Sequence, residues 1–232
     1  NPVYSASQEA ALSAAALWTD TFLFRVSVAV AFQPKAIASS ELLSDPTAAA
    51  AFMQDRADFT AGSTALGMEL DIALPHWLAH MTKLNTQLSV YSFLGGDAPN
   101  ILDFSTYHCC WFVYSNVVLK PELEAFPHVA HWIQNMMAFD NRTPELINSE
   151  AAIDIANSSQ CLPQTQLDAI IDTDLAVGDS VEVLPIDYGF QATRGELVVA
   201  SPSSIVIKRH DKRAGELLVH FPRLGFQVRQ QE

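Results

Sequence analysis

The spacing of apolar residues changes once along this chain, and that change limits the folds open to it. Up to about residue 159 apolar residues recur at helical intervals, whereas after Gly178 they alternate with polar ones. Short alternating stretches separated by turn residues are typical of a small barrel. The pattern therefore predicts a mainly α chain, a helical bundle followed by a small five-stranded SH3-like β-barrel. The expected strands centre on Val181 and Val183; Leu197 and Val199; Ile205 and Ile207; Leu217, Val219 and Phe221; and Phe226 to Arg229.

Charge divides the chain in a similar way. Residues 1–146 hold 14 acidic and 6 basic residues, 147–176 hold 5 acidic residues and no basic one, and 177–232 hold 7 of each. Because charge density and periodicity change together, we expect domain boundaries at these positions. The prediction is a helical domain at 1–146, a helix with an acidic connector at 147–176, and a small β-barrel domain at 177–232.

Composition also argues against several classes of protein. The net charge of −13 argues against a nucleic-acid partner, because binding phosphates needs a basic surface. The longest apolar stretch, Phe22 to Phe32, is interrupted by Arg25 and is shorter than the roughly 20 residues that span a bilayer, so we expect no membrane partner. The first residues lack the basic region of a secretory signal. They also lack Met, which indicates a chain that begins inside a longer gene product.

The cysteines favour a reducing compartment. Cys109 and Cys110 are adjacent, and an odd total of three, with Cys161, argues against a disulfide framework. We therefore expect reduced thiols in a cytoplasmic protein. His108 beside two cysteines could activate a thiol, but within an apolar helix buried and inert thiols are the expectation.

Two other groups of side chains have a functional and a structural interpretation. His76 and His80 stand four residues apart, a spacing that can bind a metal on one helix face, but no third ligand is near and we expect no metal site. The basic run Lys208 to Arg213 could bind an anion or an acidic partner, such as the acidic connector of its own chain. It could equally be a solvated turn between strands.

Capping residues mark where helices begin. Ser7 can cap the first helix, Pro34 ends it, and Asp45 with Pro46 suits the start of another. Asn100 and Asp103 form a variant of the capping box, in which each side chain accepts a hydrogen bond from the backbone N–H of the other residue. The helices so predicted cover 7–33, 45–59, 66–90 with a kink or restart at Pro75, 100–117, 127–139 and 148–159.

The first of these helices is apolar on more sides than one bundle can cover. Such a helix needs a second partner surface. Trp18, Phe22 and Arg25 share one of its faces. That face could line a pocket for an apolar substrate, or it could pack against another domain or a second subunit.

Two motifs resemble signatures of the glutathione S-transferase superfamily. Phe93 to Ser105 is similar to the family's aromatic residue, Gly-Asp turn and Ser/Thr-x-x-Asp cap, with Asn100 where Ser or Thr is usual. Phe126 to Trp132 resembles its aromatic-Pro-x-(Val/Leu)-x-x-Trp helix start. Over about residues 1–140 the chain looks like the helical C-terminal domain of a bacterial-type member. The thioredoxin-like N-terminal domain of the family is absent, and the β segment is similar to an extension on some bacterial members.

The resemblance implies a function for the full-length protein. It would conjugate or reduce electrophiles with glutathione as co-substrate, held mostly by the absent domain. Trp18, Phe22 and Arg25 would line the substrate side, and Asn100 and Asp103 would be structural caps. We expect no catalytic residue in this chain, which alone would be inactive. Its partners would be its own N-terminal domain and a second copy in a homodimer. The alternative is a non-catalytic binding or scaffold protein that uses the barrel as an interaction module.

Overall fold

A computed structural model of the chain describes residues 7–40, 45–139, 143–161 and 174–231. The chain divides into two compact units, Asn1–Thr60 with Thr64–Arg142, and Ala61–Ser63 with Thr143–Glu232. Most of the predicted acidic connector lies outside the described residues. The helices of the first unit are α1 (Glu9–Trp18), a π-helical segment (Thr19–Leu23), α2 (Phe24–Ala31), α3 (Pro34–Ala38), α4 (Pro46–Phe59), α5 (Leu70–Leu88), α6 (Ile101–Tyr114), α7 (Lys120–Glu124) and α8 (Pro127–Met137).

The long first helix forms as predicted, but its start and its geometry differ. It runs without a break from Glu9 through the π-helical segment to Ala31. The predicted cap at Ser7 is wrong, because Gln8 occupies the cap position and its side chain makes no capping hydrogen bond. These 23 residues are long and apolar enough to cross a bilayer, so the argument from a short apolar stretch fails. Core helices of soluble proteins pass the same test, and the inward face of α2 is buried in the bundle.

Helices α2, α5, α6 and α8 surround the core of this unit. α5 begins at Leu70, later than expected, and Pro75 lies inside it rather than restarting it. Asn85 of α5 caps α8, since its Oδ1 accepts hydrogen bonds from the backbone N–H groups of His128 at 2.9 Å and Val129 at 3.4 Å. The largest side chains that are almost fully buried in this core include Leu23, Val26, Val30, Met81, Val113, Leu119, Leu123, Trp132 and Ile133.

The capping box at the start of α6 is confirmed, and its carboxylate does more than cap. Asn100 Oδ1 accepts from Leu102 N–H at 2.9 Å, and Asp103 Oδ2 accepts from Asn100 N–H at 3.0 Å. Asp103 is fully buried and also accepts from the backbone N–H groups of Leu94 at 2.7 Å and Gly95 at 3.1 Å. A fourth bond comes from Trp132 Nε1 at 2.9 Å. Asp103 thus joins both motifs of the predicted resemblance in one hydrogen-bond network.

The glycines of the first motif are needed for two different reasons. A Cβ on Gly95 would lie 2.4 Å from the carbonyl oxygen of Ala98, too close for any side chain. Gly96 has a φ of +95°, in the left-handed region that glycine adopts without strain. The turn between Phe93 and Asn100 therefore depends on both positions, and it presents its N–H groups to Asp103.

The second unit contains α9 (Ser149–Ser158) and one antiparallel sheet. The helix predicted over 148–159 is present, and Asn148 caps it by accepting from Ala151 N–H at 2.8 Å. The strands are β1 (Ser180–Pro185), β2 (Thr193–Ala200), β3 (Ser204–Asp211), β4 (Gly215–Pro222) and β5 (Phe226–Gln230), in the order β4-β3-β2-β1-β5. All five predicted strands are present. Their inward residues, among them Val181, Val183, Leu197, Ile205 and Ile207, form a separate core.

The predicted SH3-like barrel is not supported, because this sheet is open. Closure would require β4 to pair with β5, and among the described residues these strands are the two edges of the sheet. The edge of β4 is approached instead by the segment after α9, where Cys161 Sγ lies 3.3 Å from the carbonyl oxygen of Glu216. The alternation of side chains predicts the strands, but closure also depends on strand tilt and stagger, which the alternation does not encode.

Candidate functional site

The sequence-predicted face of the first helix carries an aromatic pair. Trp18 ends α1 and Phe22 lies in the π-helical segment, and their rings stack with centroids 5.7 Å apart and planes 28° apart. Thr19 lies between them and is buried, with its Oγ1 donating to the carbonyl of Ala15 at 3.1 Å. A π-helical turn widens the helix locally, and such turns are frequent at functional sites.

A small pocket opens between this pair and helix α5. The ring of His76 meets Phe22 edge-on at 5.3 Å, and the ring of His80 lies 5.2 Å from that of Trp18. The pocket has a volume of about 140 Å³. His80 Nε2 is buried and makes no hydrogen bond with any described residue. Burial, and secondarily the nearby Lys83, lower the pKa of His80 below its usual range.

Arg25 does not join this pocket. Its Nη2 donates to the carbonyl oxygen of Gly67 at 2.8 Å, in the connection between α4 and α5. Its Nε is buried and, among the described residues, has no hydrogen-bond partner. The structure therefore brings Trp18 and Phe22 together and places Arg25 apart from them. Whether any of the three contacts a substrate stays a prediction.

A larger cavity lies on another side of the same helix, and sequence reasoning missed it. Its volume is about 770 Å³, within the range usual for small-molecule sites. Two aromatic pairs form its walls: Phe24 with Phe112, edge-on at 5.8 Å, and Phe32 with Phe52, stacked at 6.0 Å. The signal that could have revealed it is a second apolar stripe on the first helix, which includes Phe24 and Val28.

Two of the larger polar side chains around the larger cavity, Arg56 and Asn116, are already engaged. Arg56 pairs with the neighbouring Asp55 through Nε at 2.9 Å, and its guanidinium lies over the ring of Phe59 at 4.9 Å. Asn116 Nδ2 donates to the carbonyl of Ala36 at 3.3 Å. A ligand here would therefore be held mainly by apolar and aromatic contact.

The cysteines of α6 are poor nucleophiles. Cys109 and Cys110 are buried, and burial raises the pKa of Cys109 to about 12 and that of Cys110 still further. His108 points to solvent, because adjacent residues of a helix face different directions. The described residues contain no group of three His, Cys, Asp or Glu side chains placed to hold a metal ion.

The fold is similar to that of a GST-like protein from Pseudomonas syringae. The two share 29% sequence identity with a TM-score of 0.76, and the match covers 98% of this chain and 70% of that one. The chain has a GST-like fold. No protein-family model matches the sequence, and neither does any curated protein. The resemblance carried by the Phe93–Ser105 and Phe126–Trp132 motifs is thus supported at the level of the fold. The bacterial type, the homodimer and the cytoplasmic location stay predictions.

Proposed function

We propose that the full-length protein is a glutathione S-transferase-like enzyme, and that this chain forms the side of the site that receives the electrophilic co-substrate. One observation carries the proposal: similarity to a GST-like protein over 98% of this chain at 29% identity. That match covers only 70% of the other protein, which supports a further region in proteins of this kind. We place glutathione mostly in such a region, a thioredoxin-like domain preceding residue 1.

The larger cavity is the part of this chain best suited to the electrophile. Its aromatic walls and its volume of about 770 Å³ suit an apolar molecule with a ring, since rings prefer offset or edge-on contact with other rings. Glutathione would supply the thiolate that attacks it. Phe24 and Phe112 would hold the ring in place and exclude water from it.

This chain is not expected to supply a nucleophile of its own. The described lining of the larger cavity contains no cysteine, and the pKa values of both α6 thiols are raised by burial. Activity should therefore require glutathione and the region that binds it.

The proposal is tested on the complete gene product. It should be retained on immobilised glutathione and should conjugate 1-chloro-2,4-dinitrobenzene, while residues 1–232 alone should not. Phe112→Ala should lower kcat/KM for this aromatic electrophile by roughly tenfold, the loss of one good aromatic contact. Phe139→Ala is the matched control, because Phe139 is an exposed aromatic residue outside the cavity. If the complete protein does not bind glutathione, the proposed glutathione S-transferase-like activity is ruled out.

A second candidate function, a binding module in the sheet unit, is favoured by the edge of β4. The bond from Cys161 to the Glu216 carbonyl shows that Glu216 turns its backbone outward. Alternate residues of a strand do the same, so Leu218 and His220 also present backbone groups at this edge. An extended peptide can add to such a strand. Leu218→Pro should abolish the binding of such a peptide partner to the full chain. Binding that survives this substitution would reject strand addition at the edge of β4.

A further inference from the structure

We propose that the edge of β4 pairs with β4 of a second copy of this chain, so that the two sheets join across a two-fold axis. The proposal rests on the second candidate function, strand addition at this edge, and it names the partner. The two strands run antiparallel, with Leu218 of one copy directly opposite the partner's Leu218.

The edge of β4 has backbone groups available for such pairing. β4 is an outer strand of the sheet, and its carbonyl at Glu216 points away from β3, towards Cys161. Alternate residues of a strand point the same way, so Leu218 and His220 each present an N–H and a C=O at this edge. Among the described residues, no hydrogen bond reaches these groups. An open space of about 370 Å³ lies beside them, between β4 and the end of α9.

β4 also lacks several features that usually keep edge strands from pairing. Natural edges are often protected by lysine, by proline or by a bulge. β4 contains no lysine, its proline is the last residue, Pro222, and the bulge recorded in this sheet lies between β2 and β3. The thiol of Cys161 contacts the Glu216 carbonyl, but a thiol is a weak donor. A backbone N–H of the partner strand can therefore replace it.

The sequence of β4 favours one register for the pair. The outward groups of the two copies must meet, which limits the two-fold registers to a few. With Leu218 at the axis, Glu216 faces the partner's His220, whose imidazole N–H can donate to the carboxylate. Any shift from this register places Glu216 or His220 opposite a leucine or opposite its own copy. Unlike groups directly opposite each other stabilise an antiparallel pair, whereas like charges destabilise it.

The apolar side chains fit the same register. Glu216 and His220 are exposed, whereas Leu218 between them is half-buried. Pairing brings Leu218 against its counterpart and removes both from water. On the opposite face of the joined sheet, Leu217 meets the partner's Val219. The centre of the interface is thus apolar, and each end carries one carboxylate–imidazole contact.

Sedimentation of the full chain over a range of concentrations tests this pairing with two variants. Glu216→Lys sets a lysine against the partner's His220, and His220→Glu sets two carboxylates against each other. Each variant alone should weaken self-association by about tenfold, because both ends of the interface change from attraction to repulsion. An equimolar mixture of the two variants should associate as the parent does. In the mixed pair the introduced lysine faces the introduced glutamate, and the original histidine faces the original glutamate.

The controls separate this interface from other surfaces and from misfolding. Glu145→Lys and His131→Glu make the same changes at exposed positions outside β4 and should leave association unchanged. A monomeric parent chain, association that neither test variant weakens, or a mixture that does not recover would each overturn the proposal. A monomeric chain that still binds an extended peptide, and loses it in Leu218→Pro, would reject the second copy as partner and leave strand addition intact.

Discussion

Among the described residues, each of the two units buries one carboxylate, one held by neutral N–H donors and the other by charged arginines. Asp103 in the helical unit is fully buried and accepts from four neutral N–H groups. Glu182 in the sheet unit lies on β1, between β2 and β5, and is 7% exposed. It pairs with Arg194 and Arg229, its direct neighbours on β2 and β5, and their side chains are 64% and 61% exposed.

The difference shows what each carboxylate does for the fold. The donors to Asp103 come from a turn, from the start of α6 and from α8, so one side chain fixes three separate parts of the chain. The arginines of Glu182 lie on strands that already pair through their backbones. Charges that reach solvent are also screened by salt, whereas buried neutral donors are not. Loss of Asp103 should therefore cost far more than loss of Glu182.

Removing the Asp103 carboxylate should give the largest effect. Asp103→Ala leaves several donors without an acceptor in a buried site, and we expect the free energy of unfolding to fall by roughly 3 kcal/mol. Capping alone would predict about 1 kcal/mol. Urea denaturation followed by tryptophan fluorescence measures this unit, because all four tryptophans lie within it. Asp97→Ala, in the same turn but exposed, is the control. A loss no larger than that of a cap would mean that the bonds to the turn and to Trp132 contribute nothing.

Removing the partner of Asp103 in the capping box should have a smaller effect. Asn100→Ala deletes the acceptor for Leu102 N–H but leaves the four donors of Asp103 in place, so a loss of about 1 kcal/mol is expected. Asn100→Ser restores the residue type usual in the resembling motif and should regain most of that loss. Equal stability of the Ala and Ser variants in the same urea titration would contradict the assignment of Asn100 as a cap.

How far the sequence could anticipate these features depends on the distance between the partners. The pairing of Asn100 with Asp103 spans three residues and is predicted by the capping-box pattern. The strands of the sheet are predicted by the alternation of apolar and polar residues. The bond from Trp132 to Asp103 spans 29 residues and depends on how α8 packs on α6, so no local pattern encodes it. The neighbours of Glu182 depend on strand register. The larger cavity was missed for the same reason, because Phe24 and Phe112 meet only through packing.

Neutralising Glu182 should weaken the sheet unit only modestly. Glu182→Gln removes the charge between Arg194 and Arg229 while keeping the size of the side chain. Hydrogen exchange of the β1 amides should become faster than in the parent protein, and the difference should shrink in high salt because the arginines are exposed. Glu196→Gln, which disrupts a 3.0 Å pair between Lys208 and a much more exposed carboxylate, should change exchange less. A difference that persists undiminished in high salt would mean that the contribution of Glu182 is not electrostatic.

The same ion pairs should make the stability of the sheet unit depend on pH in the acid range, and this is the smallest effect expected. The hydrogen bond from Arg229 is the largest cause that holds the pKa of Glu182 below its ordinary value of 4.5. A carboxyl whose pKa is lowered in the folded state stabilises that state at pH values above its ordinary pKa. The contribution is lost as the pH falls through the lower, folded-state pKa. Exchange at β1 should therefore accelerate below about pH 4 beyond the intrinsic rate in the parent protein, and less so in Glu182→Gln, which cannot titrate. Equal acceleration in both proteins would assign the acid sensitivity to other carboxylates. The contrast between Glu182 and Asp103 would then be supported only by the salt dependence of exchange and by the stabilities of the variants.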